Sequence, residues 1–132
     1  MKSAWALLLA LGAASAWSQG TCPNASEVTQ AQMLGLWRAE LEGSGHAGTL
    51  LLEKHAEYAE GLSGWINRNG ARSRLAGDVE DGELTLEESA DGVRIAATWL
   101  GDVVEGSCGR EIRGTWTRDG EQDGRAFVLR KQ

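Results

Sequence analysis

Apolar residues occupy alternate positions in a series of short runs that begins at Leu36, and glycines or turn-forming pairs separate the runs. A period of two places successive side chains on opposite faces of a strand, so each run predicts a β-strand with one buried face. Asn69-Gly70, Asp81-Gly82 and Asp91-Gly92 are pairs that favour tight hairpin turns. Eight strands are predicted, around residues 36–41, 48–54, 62–66, 75–79, 84–86, 93–99, 112–116 and 127–129.

Eight short antiparallel strands with tight connections predict an all-β fold, an eight-stranded antiparallel up-and-down β-barrel, because closure removes exposed sheet edges. A sandwich of two sheets is the alternative. Gly64, Gly77 and Gly114 each stand between apolar residues in mid-strand. Such glycines mark bends or close backbone approaches, which a tightly curved sheet requires. Residues 53–60 are good helix formers, and Gly61 is a suitable helix end. We expect a hairpin over 53–61 whose tip holds a helical turn.

The segment before the barrel predicts export. Lys2 and the uncharged apolar run at 4–16 are typical of a signal peptide, with cleavage after Ser18 or, alternatively, Ala16. Residues 19–34 then form an N-terminal arm with a short helix that starts at Asn24, and residues 35–132 form the barrel domain. We expect a periplasmic or secreted protein without a membrane span; lipidation at Cys22 is the alternative.

The two cysteines, Cys22 and Cys108, predict one disulfide, since an oxidising compartment favours pairing. Closing so long a loop contributes about 4 to 5 kcal/mol in the chain-entropy estimate. His46 and His55 lack the spacing of metal ligands, so neither a metal nor another cofactor is predicted.

The net charge of the chain excludes some classes of binding partner. The chain carries 19 acidic and 13 basic side chains, for a net charge of −6. This balance argues against nucleic acid and anionic membranes as partners. No serine stands in a nucleophile elbow, so no enzymatic activity is predicted. A group of acids in the middle hairpin alternates with apolar residues and is expected to face solvent: Asp78, Glu80, Asp81, Glu83, Glu87 and Glu88.

Gly35-Leu36-Trp37, directly after the predicted helix, resembles the Gly-x-Trp motif of the calycin group, which includes lipocalins, avidins and bacterial metalloprotease inhibitors. Residues 97–103 and 110–116 are similar to the tryptophan-bearing late strands of avidins. The resemblance implies that Trp37 packs near the barrel base beside a last-strand arginine, for which Arg125 and Arg130 are candidates. Ala39 stands where avidins carry a biotin-binding asparagine, so the avidin biotin set is incomplete.

Tryptophans are the main candidates for a binding site. Trp37, Trp99 and Trp116 fall on predicted inward faces and are predicted to bind a ligand at one mouth of the barrel. Alternatively, they fill the core, because an eight-stranded barrel is narrow enough for side chains to occupy it. Trp65 has the opposite parity to its apolar neighbours, which predicts an interaction surface or a reversed face for that strand.

A basic hairpin tip is the second candidate. Arg68, Arg72 and Arg74 flank the Asn69-Gly70 turn, where they can dock an anionic ligand or an acidic groove, or simply be solvated.

Two functions follow from these candidates. The leading hypothesis is an exported, non-enzymatic barrel that binds a small, partly apolar ligand at its open end. The alternative is an inhibitor or interaction module for a hydrolase outside the cytoplasm, a protease or lysozyme. In that case the hairpin at 68–74 or the arm at 20–26 makes the contact. The oligomeric state is left open.

Overall fold

A computed structural model describes residues 22–132, so the predicted signal peptide at 1–18 and the first residues of the arm lie outside the described part. Eight strands form a closed antiparallel barrel in which each strand pairs with the next and the last pairs with the first. The predicted fold class is therefore confirmed. The strands are β1 (Gly35–Leu41), β2 (Gly48–Lys54), β3 (Leu62–Arg68), β4 (Ala71–Glu80), β5 (Glu83–Ser89), β6 (Ala97–Val103), β7 (Glu111–Arg118) and β8 (Arg125–Lys131).

The N-terminal segment holds two short helical pieces where the sequence predicts one helix. A 3-10 turn spans Ala25–Glu27, and helix α1 spans Gln30–Met33. The Glu27 carboxylate accepts the N–H of Asn24 at 3.3 Å, which is half of the predicted capping interaction. A second start follows at Thr29, whose N–H donates to the Gln32 side-chain oxygen at 2.8 Å. This second start ends the first piece early.

Side chains fill the barrel interior. Each of the eight strands contributes buried inward residues, and the largest of them include Trp37, Trp99 and Phe127. The Trp99 and Phe127 rings meet edge to face, with centroids 4.9 Å apart, a geometry that aromatic quadrupoles favour. The interior is therefore a packed core, as expected for a barrel of this strand number.

The mid-strand glycines lie where neighbouring backbones approach most closely, as predicted. A Cβ added at Gly64 would overlap the carbonyl oxygen of Leu51. The same overlap would occur at Gly77 and Gly114, with carbonyl oxygens of the adjacent strands. Only glycine fits at these three positions, because any other residue would place an atom inside a neighbouring strand.

Two local predictions are wrong. Val93 and Ile95 were expected in a strand, but β6 begins at Ala97, and residues 90–96 form a loop. The Asp91 carboxylate accepts the N–H groups of Arg94 at 2.9 Å and Val93 at 2.8 Å. These bonds, with one from Ser89, hold the pKa of Asp91 below its usual range. Such side chain–backbone bonds compete with a strand ladder and explain the loop.

The hairpin tip at 55–61 has no helical turn; it is an irregular loop. The His55 ring nitrogen Nδ1 accepts the N–H groups of Glu57 at 3.0 Å and Tyr58 at 3.2 Å. These bonds fold the tip around His55, which leaves Gly61 to close the turn on Tyr58.

The N-terminal segment closes one end of the barrel. At the base, where β1 begins, the N-terminal segment covers the opening and inserts Met33 and Val28 into the core. The predicted disulfide is present: Cys22 is bonded to Cys108 in the β6–β7 connection, which tethers the arm to the base. The N–H of Trp37 donates to the Met33 carbonyl at 2.8 Å and anchors the strand to this segment.

The cation beside Trp37 is a lysine, which corrects the expectation of an arginine. Lys131 Nζ lies 5.9 Å from the Trp37 ring centroid and donates to the Gln32 carbonyl at 2.6 Å. Arg125 starts β8 and so lies at the far end of the barrel. Arg130 faces outward, where it forms salt bridges on the outer surface.

Candidate functional site

Four polar or aromatic side chains meet at the barrel end opposite the N-terminal segment. Arg68 ends β3, Glu88 lies near the end of β5, Trp99 is near the start of β6, and Trp116 is near the end of β7. In an up-and-down barrel these strand ends point to the same opening. We call Glu88, Trp99 and Trp116 the barrel-end cage, which Arg68 occupies.

Glu88 is the centre of the cage and is only 4% exposed. Its carboxylate accepts hydrogen bonds from the two terminal nitrogens of Arg68 at 2.6 and 2.5 Å. The indole N–H groups of Trp99 and Trp116 donate to the same carboxylate at 3.0 and 3.3 Å. Burial alone raises the pKa of Glu88. The hydrogen bonds and charge of Arg68, with the indole donors, outweigh burial and hold that pKa below its usual range.

Arg68 lies against the faces of both cage tryptophans. Its guanidinium carbon is 5.7 Å from the Trp99 ring centroid and 5.5 Å from that of Trp116. These distances are within the range of a cation–π interaction. The Arg68 side chain is 33% exposed and that of Glu88 is 5% exposed, so the carboxylate is the more deeply buried partner of the pair.

The prediction that Glu88 lies on a solvated acidic face is wrong. Its side chain points into the barrel beside Leu86 and Leu84. The parity of β5 contains the signal, because a residue two positions after an inward leucine also faces inward. Its charge hid this signal, since a buried carboxylate is rare unless a cation accompanies it.

The structure brings together two of the three tryptophans predicted to bind a ligand. Trp99 and Trp116 are direct cross-strand partners at the barrel-end cage. Trp37 lies in the opposite half, near the base, and is fully buried. The three rings therefore do not line one mouth.

Trp65 lies on the outer face of the barrel and is half-buried. Its cross-strand partner is Arg74, and the guanidinium carbons of Arg72 and Arg74 lie 4.5 and 5.2 Å from its ring centroid. The predicted basic tip is thus divided: Arg68 turns inward, whereas Arg72 and Arg74 stack on Trp65 outside.

Shallow grooves lie on both sides of Trp65. One, of about 500 Å³, runs between Trp65 with Arg74 and the loop residues Val93 and Ile95. The other, of about 610 Å³, lies beside Trp65 and Arg72 on the outer face of β2 and β3. Val93 is 85% exposed and Ile95 44%, so apolar side chains border the first groove. We call Trp65, Arg72, Arg74, Val93 and Ile95 the Trp65 surface.

Glu53 and Glu87 also line the first groove, but within residues 22–132 neither forms a salt bridge with an arginine of this surface. Between residues 22 and 132, neither Arg72 nor Arg74 is in a salt bridge. Their guanidinium groups therefore keep their donors available for another molecule.

No protein-family model matches the chain, and no curated protein matches it at a significant level. Within residues 22–132, no helix has the length and apolar character to cross a membrane. The same residues contain no cluster of three or more histidine, cysteine or acidic side chains suited to a metal ion.

Proposed function

We propose that this protein is an exported, non-enzymatic interaction module that binds another extracytoplasmic protein through the Trp65 surface. A hydrolase, either a protease or a lysozyme, is the partner class that we favour. Export is supported by the predicted signal peptide and by the Cys22–Cys108 disulfide, a bond typical of oxidising compartments.

The observation that carries the proposal is a tryptophan held on the outside of a barrel by two unpaired arginines. Tryptophan and arginine are enriched among the residues that dominate protein–protein binding energy. The two guanidinium groups limit the rotation of the Trp65 ring, so little side-chain entropy is lost when a partner covers it. Exposed Val93 and Ile95 add apolar area beside the ring.

Charge complementarity supports an acidic partner surface. Arg72 and Arg74 present a local positive site on a chain with a net charge of −6, so general attraction to anions does not explain them. A guanidinium pairs with a carboxylate through two parallel hydrogen bonds. Glycoside hydrolases carry two carboxylates in the cleft, which is one such acidic groove.

The arrangement at the barrel base supports the calycin resemblance as part of this proposal. The motif tryptophan Trp37 packs at the base beside a cation of the last strand, although this cation is Lys131 and not the arginine that the resemblance implies. Among the members of that group, the metalloprotease inhibitors bind hydrolases. This similarity favours the inhibitor class over other interaction modules.

Binding of a small, partly apolar ligand at the open end stays a second hypothesis. The observation in its favour is that Trp99 and Trp116 meet at one barrel end. Against it, the interior is packed and Arg68 occupies the opening between the two rings. The Trp65 surface is therefore the better supported site.

Purified mature protein, assayed by biolayer interferometry and by inhibition against secreted proteases and lysozymes, tests the proposal. We expect Trp65→Ala and Arg72→Glu each to weaken binding by at least tenfold, which corresponds to about 1.4 kcal/mol. Arg113→Glu is the matched control, because Arg113 is an exposed arginine on β7, away from this surface. Equal binding by Arg72→Glu and Arg113→Glu, or a partner that the Trp65→Ala variant still binds normally, would contradict the proposal.

A further inference from the structure

The barrel-end cage has the composition of a cation site. It combines one buried carboxylate with the faces of two indole rings, and both indole N–H groups donate to that carboxylate. Both bonds go to the same Glu88 oxygen, so they orient the carboxylate independently of its bonds with Arg68. Carboxylate and aromatic faces together are the groups that hold a planar, weakly hydrated cation in proteins.

The cage holds Arg68 by its guanidinium, and the guanidinium carbon of Arg118 also lies 5.7 Å from the Trp116 ring centroid. The two terminal nitrogens donate to the two carboxylate oxygens, one each, and the guanidinium carbon lies about equally far from the two ring centroids. Glu88 is the only residue that accepts a hydrogen bond from Arg68 in the described part of the chain. The backbone to which Arg68 belongs is not needed for this recognition, so any singly substituted guanidinium of similar size meets the same groups.

The exit from the cage leads to solvent. Arg68 is the last residue of β3, directly before the Asn69-Gly70 turn, and a third of its side chain is exposed. A change of rotamer therefore moves the guanidinium out of the cage without disturbing the β3–β4 ladder.

We propose that the barrel-end cage is a binding site for an N-alkylguanidinium group, such as the end of an arginine side chain, and that Arg68 is its resident occupant. An external guanidinium competes with Arg68 for Glu88 and the two indole faces. A primary ammonium is a poor substitute, because it cannot span both carboxylate oxygens and lie flat against the rings. This site is separate from the Trp65 surface and does not depend on the function proposed above.

Removing the resident side chain tests the proposal. In the variant Arg68→Ala we expect millimolar n-propylguanidinium to raise the melting temperature saturably and to change tryptophan emission, with at least tenfold preference over n-propylammonium. Wild type should bind at least tenfold more weakly, because the tethered Arg68 competes at a high effective concentration. The double variant Arg68→Ala/Glu88→Gln should lose the effect.

Two further experiments address an unfolded variant and the source of the guanidinium. If Arg68→Ala does not fold alone, its refolding yield with n-propylguanidinium or n-propylammonium replaces the melting temperature. In wild type, L-arginine and a blocked Gly-Arg-Gly peptide distinguish a free small molecule from a protein side chain as the source. The proposal fails if n-propylguanidinium is no better than n-propylammonium in Arg68→Ala, or if wild type and variant respond alike. Trp65→Ala should leave all these responses unchanged, so this proposal and the interaction surface fail separately.

Discussion

Replacing Arg68 by methionine keeps most of its apolar stem and removes the guanidinium. Glu88, which is 4% exposed in wild type, then keeps only the two indole donors. Breaking a buried ion pair by removing one partner costs about 3–5 kcal/mol. Because a third of the Arg68 side chain reaches solvent, we expect a smaller loss of about 2–4 kcal/mol. That is a large fraction of the 5–15 kcal/mol typical of a whole domain.

Removing the other charge of the pair, with Glu88→Gln, should lower the free energy of unfolding by less than Arg68→Met does. Glu88→Gln removes the buried charge and leaves the partly exposed Arg68, which water can solvate. We expect a loss of about 1–2 kcal/mol, the usual cost of an altered hydrogen bond to a charged group. The order of the two losses therefore reports which of the two charges is buried.

The stability that Arg68→Met loses should depend on pH, and the pKa of Glu88 gives the direction of that dependence. In wild type the pKa of Glu88 is lowered, so its contribution to stability is present above the pKa of the unfolded chain and is lost as the pH falls through the folded-state value. Without Arg68, we expect burial to outweigh the two indole donors and to raise the pKa of Glu88. The deficit of Arg68→Met should thus be largest near pH 7 and shrink towards pH 4, because a raised pKa lets Glu88 of the variant take up a proton in that range.

Urea unfolding followed by tryptophan fluorescence and far-UV circular dichroism measures both effects. Wild type, Arg68→Met and Glu88→Gln are compared at pH 7 and pH 4. A deficit of Arg68→Met that is the same at both pH values would refute the assignment of a buried, charged Glu88. So would a smaller loss for Arg68→Met than for Glu88→Gln at pH 7.

Three further predictions concern other parts of the barrel. Gly64→Ala should prevent folding or lower the free energy of unfolding by more than about 3 kcal/mol, because the added Cβ overlaps a neighbouring strand. Gly45 has open space around it, so Gly45→Ala should change the free energy of unfolding by less than about 0.5 kcal/mol in the same urea titration. Replacing Cys22 and Cys108 together by serine should cost about 4 kcal/mol, and a change below about 1 kcal/mol by calorimetry would contradict a stabilising tether. Trp65→Ala should cost no more than about 1 kcal/mol, since the ring packs outside the core; a cooperative loss of fold would contradict its role as a surface residue.

Period-two patterning predicted the strands because register in a barrel with a packed interior is strict. A shift by one residue would expose the inward set of each strand, so the apolar positions around Trp99 define the face. Asn69-Gly70 and Asp81-Gly82 set two hairpins, and both residues of each pair have positive φ, as the predicted turns require.

The separation of Trp37 from Trp99 and Trp116 was within reach of the sequence. Trp37 lies near the start of an odd-numbered strand and Trp116 near the end of another, so an up-and-down barrel places them at opposite ends. Glu88 was also within reach, through the parity of Leu86. To use both signals, one must consider where each residue lies along its strand as well as which face of the strand it occupies.

Other features depend on contacts that no periodicity encodes. Asp91 ends the strand pattern before Val93 because its carboxylate captures backbone N–H groups of the loop. The choice of Lys131 rather than Arg130 beside Trp37 depends on which cation reaches the helix carbonyl of Gln32. Such outcomes follow from three-dimensional competition between hydrogen bonds.

The most direct test of the proposed interaction is the behaviour of the indole N–H signals in a two-dimensional ¹H–¹⁵N spectrum when the hydrolase partner is added. We predict that the Trp65 signal shifts or broadens, while the signals of Trp37, Trp99 and Trp116 stay in place. A spectrum in which the Trp99 and Trp116 signals move and that of Trp65 does not would place the contact at the barrel end and contradict the role of the Trp65 surface.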